Sequence, residues 1–213
     1  MNYAIFLSIV NLALLSRLRL IFRDRGATGK DLIIMGAVPL LALPFLQLNW
    51  SWVILALHLV SYPFIVRLTE GTAKKLNRNR ALTLLYHLFL TGIICSPLLN
   101  LGAGLLAEKT IQFLAWMTMP GGDISTQGII RGQVILAGML LVINEMNIVL
   151  RYILEVMGIA SVGQQEDKVG DEEYSMVRLI GLLERIFIFI FVLLNQYSAI
   201  GFILAAKGVT RFN

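Results

Sequence analysis

Long apolar runs separated by short polar breaks dominate the chain. A membrane-crossing helix needs about 20 mainly apolar residues, and the pattern offers seven such stretches. The first runs over 2–21, with Arg17 and Arg19 placed to snorkel at its end. The second covers 32–48, where Pro39 and Pro44 predict a bend. Asn49, Trp50 and Ser51 make a tight connection to the third, over 52–68, and the fourth covers 81–99. The fifth covers 132–152, the sixth 176–195 and the seventh 197–210. Residues 100–128 could span by length, but Glu108 and Lys109 would then sit near the middle. Charge at that depth is costly, so an outer interfacial or re-entrant helix is expected there, ending at Pro120-Gly121-Gly122-Asp123. A polar cytoplasmic loop is expected over 161–175. The pattern thus predicts an all-α fold, a polytopic helical membrane protein with about seven transmembrane helices in a single domain over 1–213.

Composition strengthens that reading. Hydrophobic residues make up 57% and charged residues 15%, against roughly 45–50% and about 25% in soluble domains. The N-terminus has no cationic segment before its apolar run, so it is expected to be a retained span rather than a signal peptide. With the N-terminus outside and the C-terminus cytoplasmic, all of the 18 Lys and Arg except Lys109 and Arg131 fall at or near cytoplasmic ends. That spread also opposes a nucleic-acid partner, which needs its basic residues gathered on one soluble face. The single cysteine, Cys95, excludes an intramolecular disulfide framework and is expected to be a buried, inert thiol. The sequence contains no phosphate loop, zinc-binding HExxH helix or nucleophile elbow, so no cofactor is expected. The acidic residues in 166–173 lack the spacing of a calcium loop.

The polar residues within apolar runs carry most of the functional information. Glu184 and Arg185 interrupt the sixth run and need protein, water or headgroups around them. Neighbouring helix residues point about 100° apart, so each is expected to find its own partner. In the fifth run Asn144, Asn147, Arg151 and Glu155 recur at intervals of three and four, with Glu145 bordering the stripe. Arg151 and Glu155 can pair across one turn. A cytoplasmic-side network joining Glu145, Arg151, Glu184, Arg185 and Lys207 is expected, serving either to lock helices or to form a site. Arg178, Arg185, Lys207 and Arg211 could hold an anionic headgroup. Ser198, Gly201, Ala205 and Gly208 line one small-residue face suited to helix packing, or to an oligomer interface. His58 and His87 have no nearby carboxylate at metal-ligand spacing and are expected to be hydrogen-bonded helix contacts. His58 can face Tyr62 one turn away, and His87 neighbours Tyr86.

The C-terminal block from Arg178 to Phe212 resembles the tail of the DUF3307 family of uncharacterised prokaryotic membrane proteins. The matching positions are Ile180, Gly181, Leu183, Glu184 and Arg185, then Ala205, Ala206, Lys207, Arg211 and Phe212. The first glycine of the pattern is replaced by Arg178 or Val177, and the early His-Asp helix of such proteins has no good equivalent here. The resemblance implies a bacterial or archaeal cytoplasmic (inner) membrane and supplies no established substrate.

The leading functional expectation is transport of a small solute or ion, or binding of a lipid headgroup, through the polar network of helices 5–7. An accessory subunit of a membrane complex is the alternative, with membrane lipids and a protein partner or a second copy as its contacts. An enzyme acting on a lipid-linked substrate, with Glu145 or Glu184 as acid or base, is a further alternative. Glu184→Gln or Arg185→Ala is expected to lower the melting temperature in detergent more than substitutions in 166–173. The opposite order would sink a packing role for the pair.

Overall fold

The computed structural model describes residues 2–21, 23, 26–70, 76–118, 126–158 and 171–212, with side chains omitted at 114–118, 171–178 and 209–212. It is all-helical: no strand occurs among the described residues, only one bridge between Leu46 and Ala103. The helices are α1 (Tyr3–Arg17), α2 (Gly29–Leu40), α3 (Trp50–Glu70), α4 (Leu76–Ile94), α5 (Leu105–Thr118), α6 (Thr126–Leu140), α7 (Met146–Val156), α8 (Asp171–Leu193) and α9 (Tyr197–Phe212). A π-helical turn, Leu141–Glu145, joins α6 to α7. The chain forms two compact units, 1–152 and 153–213.

Seven crossings are not what the described helices provide. Three are long and apolar enough to cross a membrane: Tyr3–Leu20, Trp50–Glu70 and Thr126–Val156. The expected second span breaks, because α2 has 12 residues and rises only about 18 Å against a hydrocarbon core of about 30 Å. Pro39 lies at its end, and the chain then enters a short 3₁₀ turn, Leu43–Phe45, containing Pro44. Helix α4 opens on Asn77, Arg78, Asn79 and Arg80, which lowers its hydropathy. Helix α8 carries Arg178, Glu184 and Arg185, and α9 has 16 residues. Within 100–128, α5 exposes Leu105, Leu106, Glu108, Lys109 and Phe113, while Pro120–Asp123 lie outside the described residues. Residues 161–170 of the expected loop are also outside them. Asp171–Tyr174 form the first turn of α8.

In the first unit, α1 packs against α2, α4 and α6, and α3 packs against α2 and α4. Pairings such as Ser8 with Gln133 and Arg17 with Glu145 make α1 and α6 parallel. Pairings of Glu70 with Arg80 and Ser51 with Leu99 make α3 and α4 an antiparallel hairpin. Three apolar clusters fill the interior: one around Ile9, Leu55, Leu59 and Ile94, one around Leu14, Leu84 and Leu140, and one around Leu20, Met35 and Val66. Gly36 lets α2 and α3 cross closely, since a Cβ there would lie 2.9 Å from Pro63 Cγ. Outward positions are also apolar, with Ile33 70%, Phe64 65%, Leu68 80% and Phe89 72% exposed.

In the second unit, α8 and α9 form a hairpin. Asn195, at φ 55°, takes the left-handed conformation that ends α8. The Gln196 N–H then donates to Phe191 O at 2.8 Å, capping the free carbonyl.

The entry to α2 is set by Asp31, whose side chain is fully buried. Its Oδ2 accepts from the Thr28 backbone N–H at 3.0 Å and from the Thr28 hydroxyl at 2.6 Å. Arg19 and Arg23 approach it at 2.9 and 3.3 Å. Burial pushes the carboxyl up, but the Thr28 and Arg19 hydrogen bonds and the Arg23 charge together hold it down at about 2. Because the folded value lies below the ordinary 3.8, the stabilisation is complete above that value and disappears as pH falls towards about 2. Asp31→Ala is expected to cost about 1–2 kcal/mol at neutral pH. Melting curves should show that difference shrinking as the solution is acidified from about pH 5 to 2; a pH-independent difference would contradict it.

Candidate functional site

A seam of buried polar side chains runs between α1, α3, α4 and the π-turn. Its centre is Arg17, in the last turn of α1 and 0% exposed. Arg17 Nε donates to Glu145 Oε1 at 2.6 Å and Nη2 donates to Oε2 at 3.0 Å, a bidentate clamp. Nη1 donates to the Tyr62 hydroxyl oxygen at 2.8 Å, and Nη2 also reaches Arg80 O at 3.2 Å. Asn144 Nδ2 donates to Arg17 O at 3.1 Å and to Glu145 Oε1 at 2.9 Å. Each side chain is therefore held by bonds to others, which is what offsets desolvation of two charges.

The π-turn explains how Asn144 and Glu145, neighbours in sequence, are both buried. A π-turn hydrogen-bonds i to i+5 and inserts an extra residue into the helical repeat, and such bulges recur at functional sites. Here it turns both side chains towards Arg17, with 2% and 3% exposure.

A second buried pair lies at the same end of the unit. Arg80 Nε donates to Glu70 Oε1 at 3.0 Å, and Arg80 Nη1 donates to Arg23 O at 2.9 Å. Glu70 Oε2 accepts the Ala27 N–H at 2.6 Å, tying the segment before α2 to α3. Beside this pair, the hydroxyls of Thr69 and Thr83 are 3.2 Å apart.

Further along the hairpin, His58 Nε2 and His87 Nδ1 share a hydrogen bond of 3.0 Å. The rings are stacked with centroids 5.0 Å apart. The aromatic neighbours are exchanged relative to the sequence expectation: Tyr62 packs on His87 at 4.4 Å, and Tyr86 meets His58 edge-on at 5.9 Å. The outer ring nitrogens, His58 Nδ1 and His87 Nε2, are buried without a hydrogen-bond partner among the described residues, as is Thr91 Oγ1 one turn from His87. The positions that build this seam repeat at helical spacing: Arg80, Thr83, His87 and Thr91 on α4, and Ser51, His58, Tyr62 and Glu70 on α3 are all buried. No cluster of three metal-ligating side chains occurs among the described residues.

The sequence-derived candidates distribute over both units. Asn144 and Glu145 lie at the centre of the seam, with Arg17 and Tyr62 as partners. Asn147 and Arg151 are half-buried on α7, and Glu155 is exposed near its end. In the second unit Lys207 pairs with Glu184, which leaves that pair without net charge. Arg185 Nε turns back to Gly181 O at 2.9 Å. The side chains of Arg178 and Arg211 lie outside the described residues. Sequence reasoning missed Arg17, Tyr62, Glu70 and Arg80 as site residues. The available signal for Tyr62, Glu70 and Arg80 was the repeat of polar positions at helical spacing along α3 and α4; Arg17, on α1, had none.

Breaking either buried pair leaves a charge without its partner, at a cost of about 3–5 kcal/mol. Arg17→Met and Glu145→Leu are each expected to lower stability on that scale, whereas Tyr62→Phe loses one hydrogen bond, about 1 kcal/mol. Unfolding in mixed micelles by increasing anionic detergent measures the ranking, and equal small losses for all three would contradict it.

No protein-family model matches the chain, and neither a curated protein nor a solved structure matches it.

Proposed function

We propose that the chain is an integral membrane protein that transfers protons through its first unit, with His58 and His87 as the relay. The observation that carries this reading is the ring-to-ring hydrogen bond whose two outer nitrogens lack partners among the described residues. A proton taken up at His58 Nδ1 allows His58 Nε2–H to pass its proton to His87 Nδ1. His87 Nε2 then releases a proton, so one enters and one leaves while neither ring keeps a net charge. Both rings finish in the opposite tautomer, and ring rotation or a return hop resets them. The same hop runs in reverse from His87.

The surroundings support a membrane site for this relay. Three helices are long and apolar enough to cross a bilayer, and large apolar side chains cover the outward faces. Arg19, Arg23, Arg67, Arg78 and Arg80 all belong to the end of the unit where α1 finishes and α4 begins. The positive-inside rule puts that end in the cytoplasm and the start of α1 outside. A prokaryotic cytoplasmic membrane is the setting implied by the C-terminal resemblance. Ionisable groups buried between membrane helices are rare and mark ion pathways and proton relays.

Purified protein in liposomes containing a pH-sensitive dye tests the reading, with a potassium diffusion potential as the driving force. Wild type is expected to acidify or alkalinise the lumen at least tenfold faster than His58→Phe or His87→Leu. Leu68→Ala, on an exposed apolar face, is expected to match wild type. Wild-type flux no faster than protein-free liposomes would overturn the proposal.

A further inference from the structure

Asp31 does more than set the entry to α2, because it also brings two like charges together. Its Oδ1 accepts from Arg19 Nε at 2.9 Å, and Arg23 Nε lies 3.3 Å from its Oδ2. One buried carboxylate thus holds two guanidiniums that would otherwise repel, and it balances the charge of only one. Both arginines reach it through Nε. Their Nη groups, which carry the remaining donors of each fork, make no hydrogen bond among the described residues. The two side chains are 46% and 44% exposed.

The pair is fixed from beneath. The Arg23 N–H donates to Leu20 O at 3.1 Å, and its carbonyl accepts from Arg80 Nη1 at 2.9 Å. Arg80 is itself held by Glu70. Arg19 belongs to the 3₁₀ turn Leu18–Leu20 that follows α1. Two forks held in place before a ligand arrives lower the ordering cost of binding. Lys30, exposed in the first turn of α2, adds a third cation next to Asp31 in sequence, where a helix N-terminus already carries partial positive charge. Asp24 and Arg25 cancel in formal charge and lie outside the described residues.

Apolar side chains border this corner. Leu15, one turn before Arg19, and Ile33, one turn after Lys30, are both exposed. Helix α2 runs back along α1, since Ile5 and Ile9 share a cluster with Ala42 and Leu46. Leu15 and Ile33 therefore both lie on the bilayer side of the cations. Exposed hydrocarbon with basic groups at its rim fits an acyl chain carrying an anionic head better than a free anion.

We infer that this corner binds an anionic phospholipid, its phosphate bridging the open Nη edges of Arg19 and Arg23 and its acyl chains lying over Leu15 and Ile33. A guanidinium fork matches two phosphate oxygens at once. A zwitterionic lipid offers the same phosphate but brings its own cation into a corner already rich in positive charge. The inference uses the membrane setting of the proposed function and no feature of the histidine relay.

The test is native mass spectrometry of the intact chain released from nanodiscs of equal phosphatidylglycerol and phosphatidylcholine with matched acyl chains. Wild type is expected to retain phosphatidylglycerol at least fivefold over phosphatidylcholine. Arg19→Gln with Arg23→Gln, whose amides can still donate to Asp31, is expected to bring the two lipids to parity. Arg67→Gln, at an exposed arginine of α3, is expected to keep the wild-type preference, and excess inorganic phosphate should not displace the lipid. Arg19→Lys with Arg23→Lys keeps both counter-charges of Asp31 and gives a second reading if the glutamine variant does not fold. Without the forks its preference is expected to fall at least twofold. Equal retention of the two lipids by wild type, an unchanged preference in the lysine variant, an equal loss in Arg67→Gln, or displacement by inorganic phosphate would overturn the inference.

Discussion

The first unit is organised by the need to bury Arg17 and Glu145 together. Neither charge can remain in an apolar interior without the other, because removal from water costs several kcal/mol per ion even after relaxation. The solution joins elements far apart in sequence: the end of α1, the π-turn after α6, the Tyr62 hydroxyl of α3 and a backbone carbonyl at Arg80 of α4. Side-chain direction, helix register and the irregular turn are thereby coupled. A regular α-helix through Leu141–Glu145 would change which residues face inward, and Asn144 and Glu145 would not both meet Arg17.

From that fixed point the remaining polar groups fall into an order. Glu70 and Arg80 anchor the charged end of the α3–α4 hairpin and bind the segment before α2. The histidine pair continues the seam towards the middle of the same hairpin, past Tyr62. Beyond Asn11 and Ser8 the wall of α1 changes from bonded charge to apolar side chains, and a half-open apolar groove between α1, α5 and α6 begins. The two features have different chemistry. The ion pairs bond among themselves, whereas the outer histidine nitrogens and the amide oxygens of Asn11 and Gln133 are buried without a hydrogen-bond partner among the described residues.

The helical class was legible because 20-residue apolar runs leave few other solutions, and the first and third spans were found nearly whole. The second was overcounted, since hydropathy alone does not register how Pro39 and Pro44 stop a helix at 12 residues. Cys95 is buried as the sequence suggested. Asn144 and Glu145 stood out because polar residues in an apolar run are conspicuous. Their partner did not: Arg17 looked like a snorkelling residue at a helix end, and its separation of 128 positions from Glu145 carries no local signal. The π-turn was likewise invisible, being a response to tertiary pairing. The histidines drew attention individually, but only the crossing of α3 and α4 puts one ring nitrogen against the other.

The most direct measurement is a solid-state NMR distance in lipid bilayers between ¹⁵N-labelled arginine side chains and ¹³C-labelled glutamate carboxylates. With Arg17 Nε and Glu145 Oε1 at 2.6 Å, the account requires a strong guanidinium–carboxylate coupling that is lost in Glu145→Gln while the Arg80–Glu70 coupling remains. A spectrum unchanged by Glu145→Gln would mean that Arg17 and Glu145 are apart, and the arrangement built on them would be wrong.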